Sequence, residues 1–179
     1  LLYDANTRMN LTAIREPEEV WSRHVLDSLT LLPWVLEMRE KIGENMRLLA
    51  VGSGGGLPGL IIACVHPDHS ITLLETTGKK ARFLAETAEA LGLDRVQVAN
   101  DRAETMGRDP VQRESYHIVT ARAVGPLNVL AEYTVPLAHP DGLVLAIKGA
   151  KAEAEIEEAK QALYKLHASV ITVHPTSTG

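Results

Sequence analysis

The hydrophobic pattern of the chain changes character near residue 46. Before that point Val20, Trp21, His24, Val25, Ser28, Leu29 and Leu32 recur at helical spacing. Pro17 stands where a helix can begin, because a missing N–H is no loss in the first turn, and Pro33 where a helix bends or ends. Residues 1–45 therefore read as a helical segment packed on a core. Beyond it, short apolar runs alternate with amphipathic stretches. The runs at 48–51, 71–74, 96–99, 117–121, 143–147 and 169–173 read as six strands. The stretches at 58–65, 79–91, 126–137 and 151–167 read as helices. Strands alternating with helices predict an α/β, doubly wound, mostly parallel sheet over 46–179, one compact unit capped by the N-terminal helical segment. In such a sheet ligands bind beyond the carboxyl ends of the strands, where the strand order reverses. The residues that follow each strand are thus where chemistry is expected.

The first run is followed by Gly52, Ser53, Gly54, Gly55, Gly56, Leu57, Pro58 and Gly59. Glycine this dense lets the backbone turn sharply and approach a ligand, and the helix start behind it favours a carboxylate or phosphate. Gly54, Gly56 and Gly59 match the dinucleotide spacing, while the register from Val51 to Gly56 equally fits a methyltransferase loop. No Gly-Lys-Ser/Thr follows, which disfavours a phosphate-loop NTPase. Glu75 closes the second run, and a carboxylate there can accept from both hydroxyls of a ribose, a device common to nicotinamide enzymes and methyltransferases. Asp101, Arg102, Ala103 and Glu104 follow the third run, and Arg122 closes the fourth, facing the expected cleft. Each has an ordinary structural explanation: a helix cap for Asp101 or Glu104, a salt bridge for Arg122. Four polar strand ends together point to a cofactor site.

Composition narrows the classes. A chain of 179 residues with 45% hydrophobic and 23% charged residues suits a single globular domain. No apolar run approaches the roughly 20 residues of a membrane helix, and no secretory signal is evident, so a cytoplasmic protein is expected. The single cysteine, Cys64, rules out an intrachain disulfide and reads as a buried small hydrophobe. A net charge of −5 argues against broad coating of nucleic acid but leaves room for a local basic patch. His66 and His69, separated by Pro67, offer two ligands, too few for a metal site.

Taken in order, the motifs resemble those of the bacterial 16S ribosomal RNA guanine-N7 methyltransferases (RsmG, also called GidB). The resemblance runs through Asn6, the segment Asn10, Leu11, Thr12, Ala13 and Ile14, then His24, Asp27, Ser28 and Leu29. It continues through VGSGGGLPGL at 51–60, LLETTGKKARFL at 73–84, RAE at 102–104, VTARAV at 119–124 and IKG at 147–149. It implies S-adenosyl-L-methionine as cofactor, contacted by Gly52, Leu57, Ala103, Glu104 and Arg122. To these the strand-end argument adds Gly54, Gly56 and Glu75. It implies methyl transfer to N7 of a guanine near the decoding centre, with 16S ribosomal RNA or the small subunit as partner and a monomeric enzyme. Two departures stand out: the family's usual acid is Ala50 here, with Ser53 or Glu104 as possible substitutes, and no seventh strand follows Val173.

Guanine N7 offers a lone pair and has no proton to lose. An in-line displacement at a sulfonium methyl therefore needs positioning and electrostatics rather than a general base. Arg122 is the candidate for contact with guanine or with the methionine carboxylate. A donor aimed at N7 itself would block attack, so O6, phosphate or cofactor is the expected target. Lys79, Lys80 and Arg82, with Lys148 and Lys151, are candidates for an RNA patch, because positive charge at a helix start opposes the helix dipole and calls for an anion. Asn10, His24 and Asp27 form a candidate second cluster, with His24 equally explained as a packing residue. Two rival functions remain: a nicotinamide-dependent oxidoreductase using the same loop, and a catalytically weakened ribosome-binding module.

Overall fold

A computed structural model describes residues 2–12, 14 and 16–175. Ala13 of the quoted N-terminal motif lies outside the described residues. The N-terminal segment comprises α1 (Leu2–Met9), then α2 (Pro17–Val20), one turn of π-helix (Trp21–Leu26) and α3 (Asp27–Leu29) running on from each other, and α4 (Leu32–Ile42). Pro17 opens α2, as its fixed φ predicts, and Pro33 falls in the first turn of α4, so it starts a helix rather than ending one.

The sheet is built from β1 (Arg47–Val51), β2 (Ser70–Leu74), β3 (Val96–Ala99), β4 (Tyr116–Arg122) and β5 (Ala138–Ile147). All pairings are parallel, and the order is β3-β2-β1-β4-β5. The connections carry α5 (Gly59–Val65), α6 (Gly78–Ala90), α7 (Ala103–Met106) and α8 (Leu127–Thr134), and α9 (Ala152–Lys165) follows β5. Because helices cover both faces, the inner strands are apolar on both sides, which is why they read as continuous runs rather than alternations. Leu48, Ala50, Ile71 and Leu73 pack with Leu60 and Ile62 of α5, Phe83 and Leu84 of α6, and Val35 and Met38 of α4. Leu49, Val51, Leu74, Val119 and Ala121 point the other way, onto Met106 and Leu130. The doubly wound, parallel expectation is thus met, with the reversal of order between β1 and β4.

Two expectations fail. Residues 169–173 form no strand; they run irregularly, with Ile171 77% exposed. A β-branched run becomes a strand only when another strand offers its backbone groups, and none of the described residues pairs with it. Cys64 is exposed, not buried. Helical periodicity explains this: Gly59, Leu60, Ile62 and Ala63 turn inward, and Cys64, a further 100° round, falls on the outer face.

The seat of α5 on the sheet depends on a missing side chain. A Cβ at Gly59 would lie 2.4 Å from Leu73 Cδ2 and 3.1 Å from Ala50 Cβ, both in fully buried residues. Gly59→Ala should therefore lower stability by about 1–3 kcal/mol through overpacking. The measurement is a urea unfolding curve whose midpoint falls at unchanged slope; an unmoved midpoint would contradict the close approach.

Candidate cofactor and substrate site

The carboxyl ends of β1 to β4 meet on one edge of the sheet. Beyond β1 the chain turns at once. Ser53 N–H donates to Leu74 O at 3.0 Å, and Gly56 and Leu57 N–H both return to Ser53 O, at 2.6 and 3.2 Å. Gly52, Gly54 and Gly56 hold φ values of +65°, +50° and +93°, where a side chain would be strained. Leu57 is buried beneath the turn. Glu75, only 6% exposed, faces this turn from the end of β2. Its Oε2 accepts from Gly54 N–H at 2.9 Å and its Oε1 from Thr77 N–H at 2.8 Å. A carboxylate has about four acceptor positions, so two remain for a ligand. Beyond β3, Asn100 Nδ2 donates to the carbonyls of Glu75 and Thr76 at 2.8 and 3.0 Å and ties the two strand ends together. Ala103 is buried in the first turn of α7 and Glu104 exposed beside it. Gly52, Gly54, Gly56 and Leu57 thus form the turn that Glu75 meets through Gly54, and Ala103 and Glu104 follow the end of the neighbouring β3.

Arg122, at the end of β4, has partners from the N-terminal segment. Its Nη1 donates to Arg23 O at 2.9 Å and lies 3.5 Å from Asp27 Oδ2; its Nη2 lies 3.2 Å from His24 Nδ1. His24, 4% exposed, is held on its other side by Thr12 Oγ1, 2.7 Å from Nε2. Of the candidate second cluster, His24 and Asp27 therefore meet at Arg122, whereas no described contact brings Asn10 to them. Thr12 belongs to the group and was reachable from the sequence only through the family motif. Burial, together with the Arg122 charge, lowers the His24 pKa, against the opposing pull of the Arg23 carbonyl and Asp27. The imidazole is held neutral.

The candidate RNA residues divide between two sides of the cleft. Lys79 and Lys80 open α6 and, with Arg8 and Asn10 from the end of α1, line a groove of about 360 Å³ next to Thr77. Arg82 is exposed one turn further on. Lys148 is 14% exposed and turned inward, with Nζ donating to Gly125 O and Glu155 Oε2, both at 2.6 Å. That Glu155 oxygen also accepts from Leu127 N–H at the start of α8, and the lysine's hydrogen bond, above all, holds the carboxyl below its usual range. Lys151 is exposed at the start of α9. Arg8 was missed from sequence because it lies 71 positions from Lys79, on a helix whose docking no local pattern reveals.

Ala50 is fully buried and faces α5, so the position of the family's acid is core in this chain. Ser53 Oγ donates to Ala50 O at 2.8 Å, which commits its proton but leaves its oxygen free to accept. Far from this edge, donor atoms of His66, Asp68 and His69 lie within 4.8 Å of one another, so Asp68 joins the histidine pair seen in the sequence. Arg39 sits 3.3 Å from Asp68 Oδ2, a cation already on the carboxylate.

Residues 1–179 match the family model described as rRNA small subunit methyltransferase G. The chain belongs to this family. It is 48% identical over 174 residues to Ribosomal RNA small subunit methyltransferase G of Sorangium cellulosum, covering 97% of this chain and 71% of that protein. It is 44% identical over 174 residues to the same-named protein of a Roseiflexus species, covering 96% and 71%. Among solved structures, a SAM-dependent methyltransferase from Aquifex aeolicus superposes with a TM-score of 0.57 at 18% identity, covering 88% of this chain and 86% of that one. The ribosomal protein L11 methylase of Lactobacillus delbrueckii gives 0.58 at 15%, covering 80% and 71%. The family decides between the two cofactors that the glycine turn left open: this is an S-adenosylmethionine-dependent methyltransferase. The residues present fit that cofactor at its ribose, where Glu75 is buried with acceptor capacity to spare, and carry no carboxylate at position 50.

Two outcomes follow from this geometry. Glu75→Gln turns one acceptor oxygen into a donor facing a backbone N–H. It should weaken S-adenosylmethionine binding by about 10- to 100-fold, the equivalent of roughly 1–3 kcal/mol for an unmade hydrogen bond, as read by titration calorimetry. Unchanged affinity would remove Glu75 from the site. The second concerns pH. His24, His69 and His117 all have pKa values lowered from 6.5, burial being the first cause in each. The unfolded chain then takes up protons that the native one refuses, so stability is full above pH 6.5 and is lost as pH falls below it. Thermal melts from about pH 8 to 5 should show Tm level at first and falling below 6.5; a Tm that rises on acidification would contradict the buried neutral histidines.

Proposed function

We propose that this chain transfers a methyl group from S-adenosylmethionine to N7 of a guanine in 16S ribosomal RNA near the decoding centre. It does so as a monomer in the cytoplasm, with residues 1–45 as a cap on the catalytic unit 46–179. Among the described residues no helix is long and apolar enough to cross a membrane, which accords with this reading. The observation that carries it is the meeting, in a member of this family, of the glycine turn, Glu75, Ala103 and Arg122 on one sheet edge at the point of strand reversal.

When bound, S-adenosylmethionine supplies a sulfonium methyl that is already activated. The backbone of Gly52, Gly54 and Gly56 lets it approach β1. Glu75 accepts from its ribose hydroxyls. Leu57, Ala103 and Glu104 line the adenosine side, Leu57 and Ala103 from buried positions and Glu104 from the rim. Arg122 serves the methionine carboxylate or guanine O6 with the N–H groups that Arg23, His24 and Asp27 leave over. A guanidinium has five donors, and the contacts to those three residues engage its Nη1 and Nη2 ends, leaving Nε–H directed elsewhere. No group in the cleft is asked to remove a proton, in keeping with N7 as nucleophile. Lys79 and Lys80, joined by Arg8, hold the RNA backbone. Among the described residues neither lysine forms an ion pair with a carboxylate, so both charges face an incoming phosphate. Arg82 and Lys151 add to the field from the rim. Lys148 serves chiefly to hold Glu155 and the α8 start.

The experiment is methyl incorporation into small subunits, and into their naked RNA, from a strain that lacks this modification, followed by mapping of the labelled base. Labelled N7-methylguanine is expected. Incorporation at another atom would correct the acceptor, and binding without incorporation would favour a non-catalytic ribosome-binding module. Lys79→Glu together with Lys80→Glu should raise KM for RNA at least tenfold at low salt and flatten its salt dependence, with cofactor affinity unchanged.

A further inference from the structure

We infer that His24, oriented by Thr12, is a positioning residue that aims the Arg122 guanidinium into the cleft. The inference rests on the role proposed above for Arg122. It starts from where the three side chains come from. Arg122 closes β4 at the strand reversal; Thr12 lies in the connection after α1; His24 sits in the single turn of π-helix, Trp21–Leu26. Such turns are rare and recur at functional sites, because the extra residue per turn re-aims side chains and carbonyls. Here the π-turn presents two groups to the same guanidinium: Arg23 O, 2.9 Å from Nη1, and His24 Nδ1, 3.2 Å from Nη2.

The imidazole is itself fixed from all sides. Nε2 meets Thr12 Oγ1 at 2.7 Å, and the His24 carbonyl accepts from Ser28 Oγ at 2.6 Å. Thr12 is pinned in turn: its N–H donates to Asn6 Oδ1 at 2.9 Å, and its Oγ1 accepts from Ile14 N–H at 3.1 Å. His24 Nδ1 also lies 2.9 Å from Arg23 O; with Nδ1–H donating to that carbonyl and Nε2 accepting from the Thr12 hydroxyl, the ring fixes the carbonyl that receives Arg122 Nη1. The hydroxyl therefore holds the ring by its far nitrogen, and the Arg23 carbonyl, which can only accept, selects the tautomer. Asp27, at 3.5 Å, supplies charge with loose geometry; His24 supplies direction. An arginine side chain has many rotamers, and holding its fork in advance removes the entropic cost of ordering it from the reaction. The same segment also braces the opposite wall of the cleft, since a Cβ at Gly55 would lie 2.8 Å from Leu2 Cδ1 and 3.5 Å from Leu11 Cβ.

The test is a double-mutant cycle of His24→Ala and Arg122→Ala, with Thr12→Val and His24→Asn alongside. Cofactor Kd, kcat and KM for small-subunit RNA are read for each, and Tm is recorded. Whichever constant Arg122→Ala impairs, His24→Ala should impair by about 10- to 100-fold, the scale of a misplaced contact, and the double variant should be no worse than Arg122→Ala. Thr12→Val, which keeps the shape and removes the hydroxyl, should move the same constant less. His24→Asn, whose amide N–H can reach the same Arg23 carbonyl, should recover most of it. Losses that multiply in the double variant overturn the inference, as does a His24→Asn variant as poor as His24→Ala. If Arg122→Ala impairs the enzyme and both His24→Ala and Thr12→Val are silent, His24 has no positioning role while the Arg122 reading stands. If Arg122→Ala is itself silent, both readings fall.

Discussion

The reversal of strand order between β1 and β4 is the constraint from which the site follows. β1 and β4 lie side by side and parallel, yet the chain leaves them towards opposite edges of the sheet, through α5 to β2 and through α8 to β5. Right-handed crossovers then place α5 and α6 on one face and α7 and α8 on the other. The connections beyond β1 and β4 must diverge, and a crevice begins between them where Val124 lies against Gly52, close enough that a Cβ at Gly52 would meet Val124 Cγ2 at 2.9 Å. Glu75 and Arg122 stand on this carboxyl edge of the sheet, just beyond the end of β2 and at the end of β4. A glycine is required at position 59: α5 must start close enough to Ala50 and Leu73 for the turn before it to reach back to Glu75.

Charge around this crevice is distributed unevenly. On the β2 side Lys79, Lys80 and Arg8 border one groove. On the β5 side Lys148 closes onto Glu155 and the Gly125 carbonyl, and its charge is consumed in holding α8 against the start of α9. β2 and β5 are separated by β1 and β4, three strand spacings or about 14 Å, too far for one phosphate to touch both sides. An acidic protein, with a net charge of −5, thus keeps a local basic groove between α1 and α6.

How far the amino-acid sequence disclosed this arrangement depends on how local each feature is. Five strands and the helices between them could be read because both sheet faces are covered, so the strands are short unbroken apolar runs. The glycine turn, Glu75 and Arg122 could be placed because they end such runs. Residues 169–173 carry the same β-branched signal without a partner strand, and a propensity without hydrogen-bond partners makes no strand. The apolar stretch around Cys64 does not reveal its exposure, because a helix on a sheet buries only one side. Arg8, the inward turn of Lys148 and the Thr12–His24–Arg122 chain all depend on contacts between residues 7 to 98 positions apart in sequence. Their spacing has no period to detect.

The polar chain that ends on Arg122 also bears on why it is retained at all. Replacing a buried ion pair or hydrogen-bonded cluster with well-packed apolar side chains is often neutral or stabilising, so stability alone is a weak reason to keep one. Here the cluster costs the burial of an imidazole that has been driven neutral and the ordering of Thr12, Arg23 and Asp27 around a single guanidinium. A reaction at a lone pair, with no proton to move, gains nothing from a tuned acid or base and everything from a donor that is already in place. The position of the family's acid points the same way. With Ala50 turned into the core under α5, the β1 end contributes no charge; Glu75 stands on one side of the crevice, and Arg122, against Asp27, on the other. The N-terminal segment, which touches both the glycine turn and Arg122, thereby ties the two sides of the crevice together and is more than a cover.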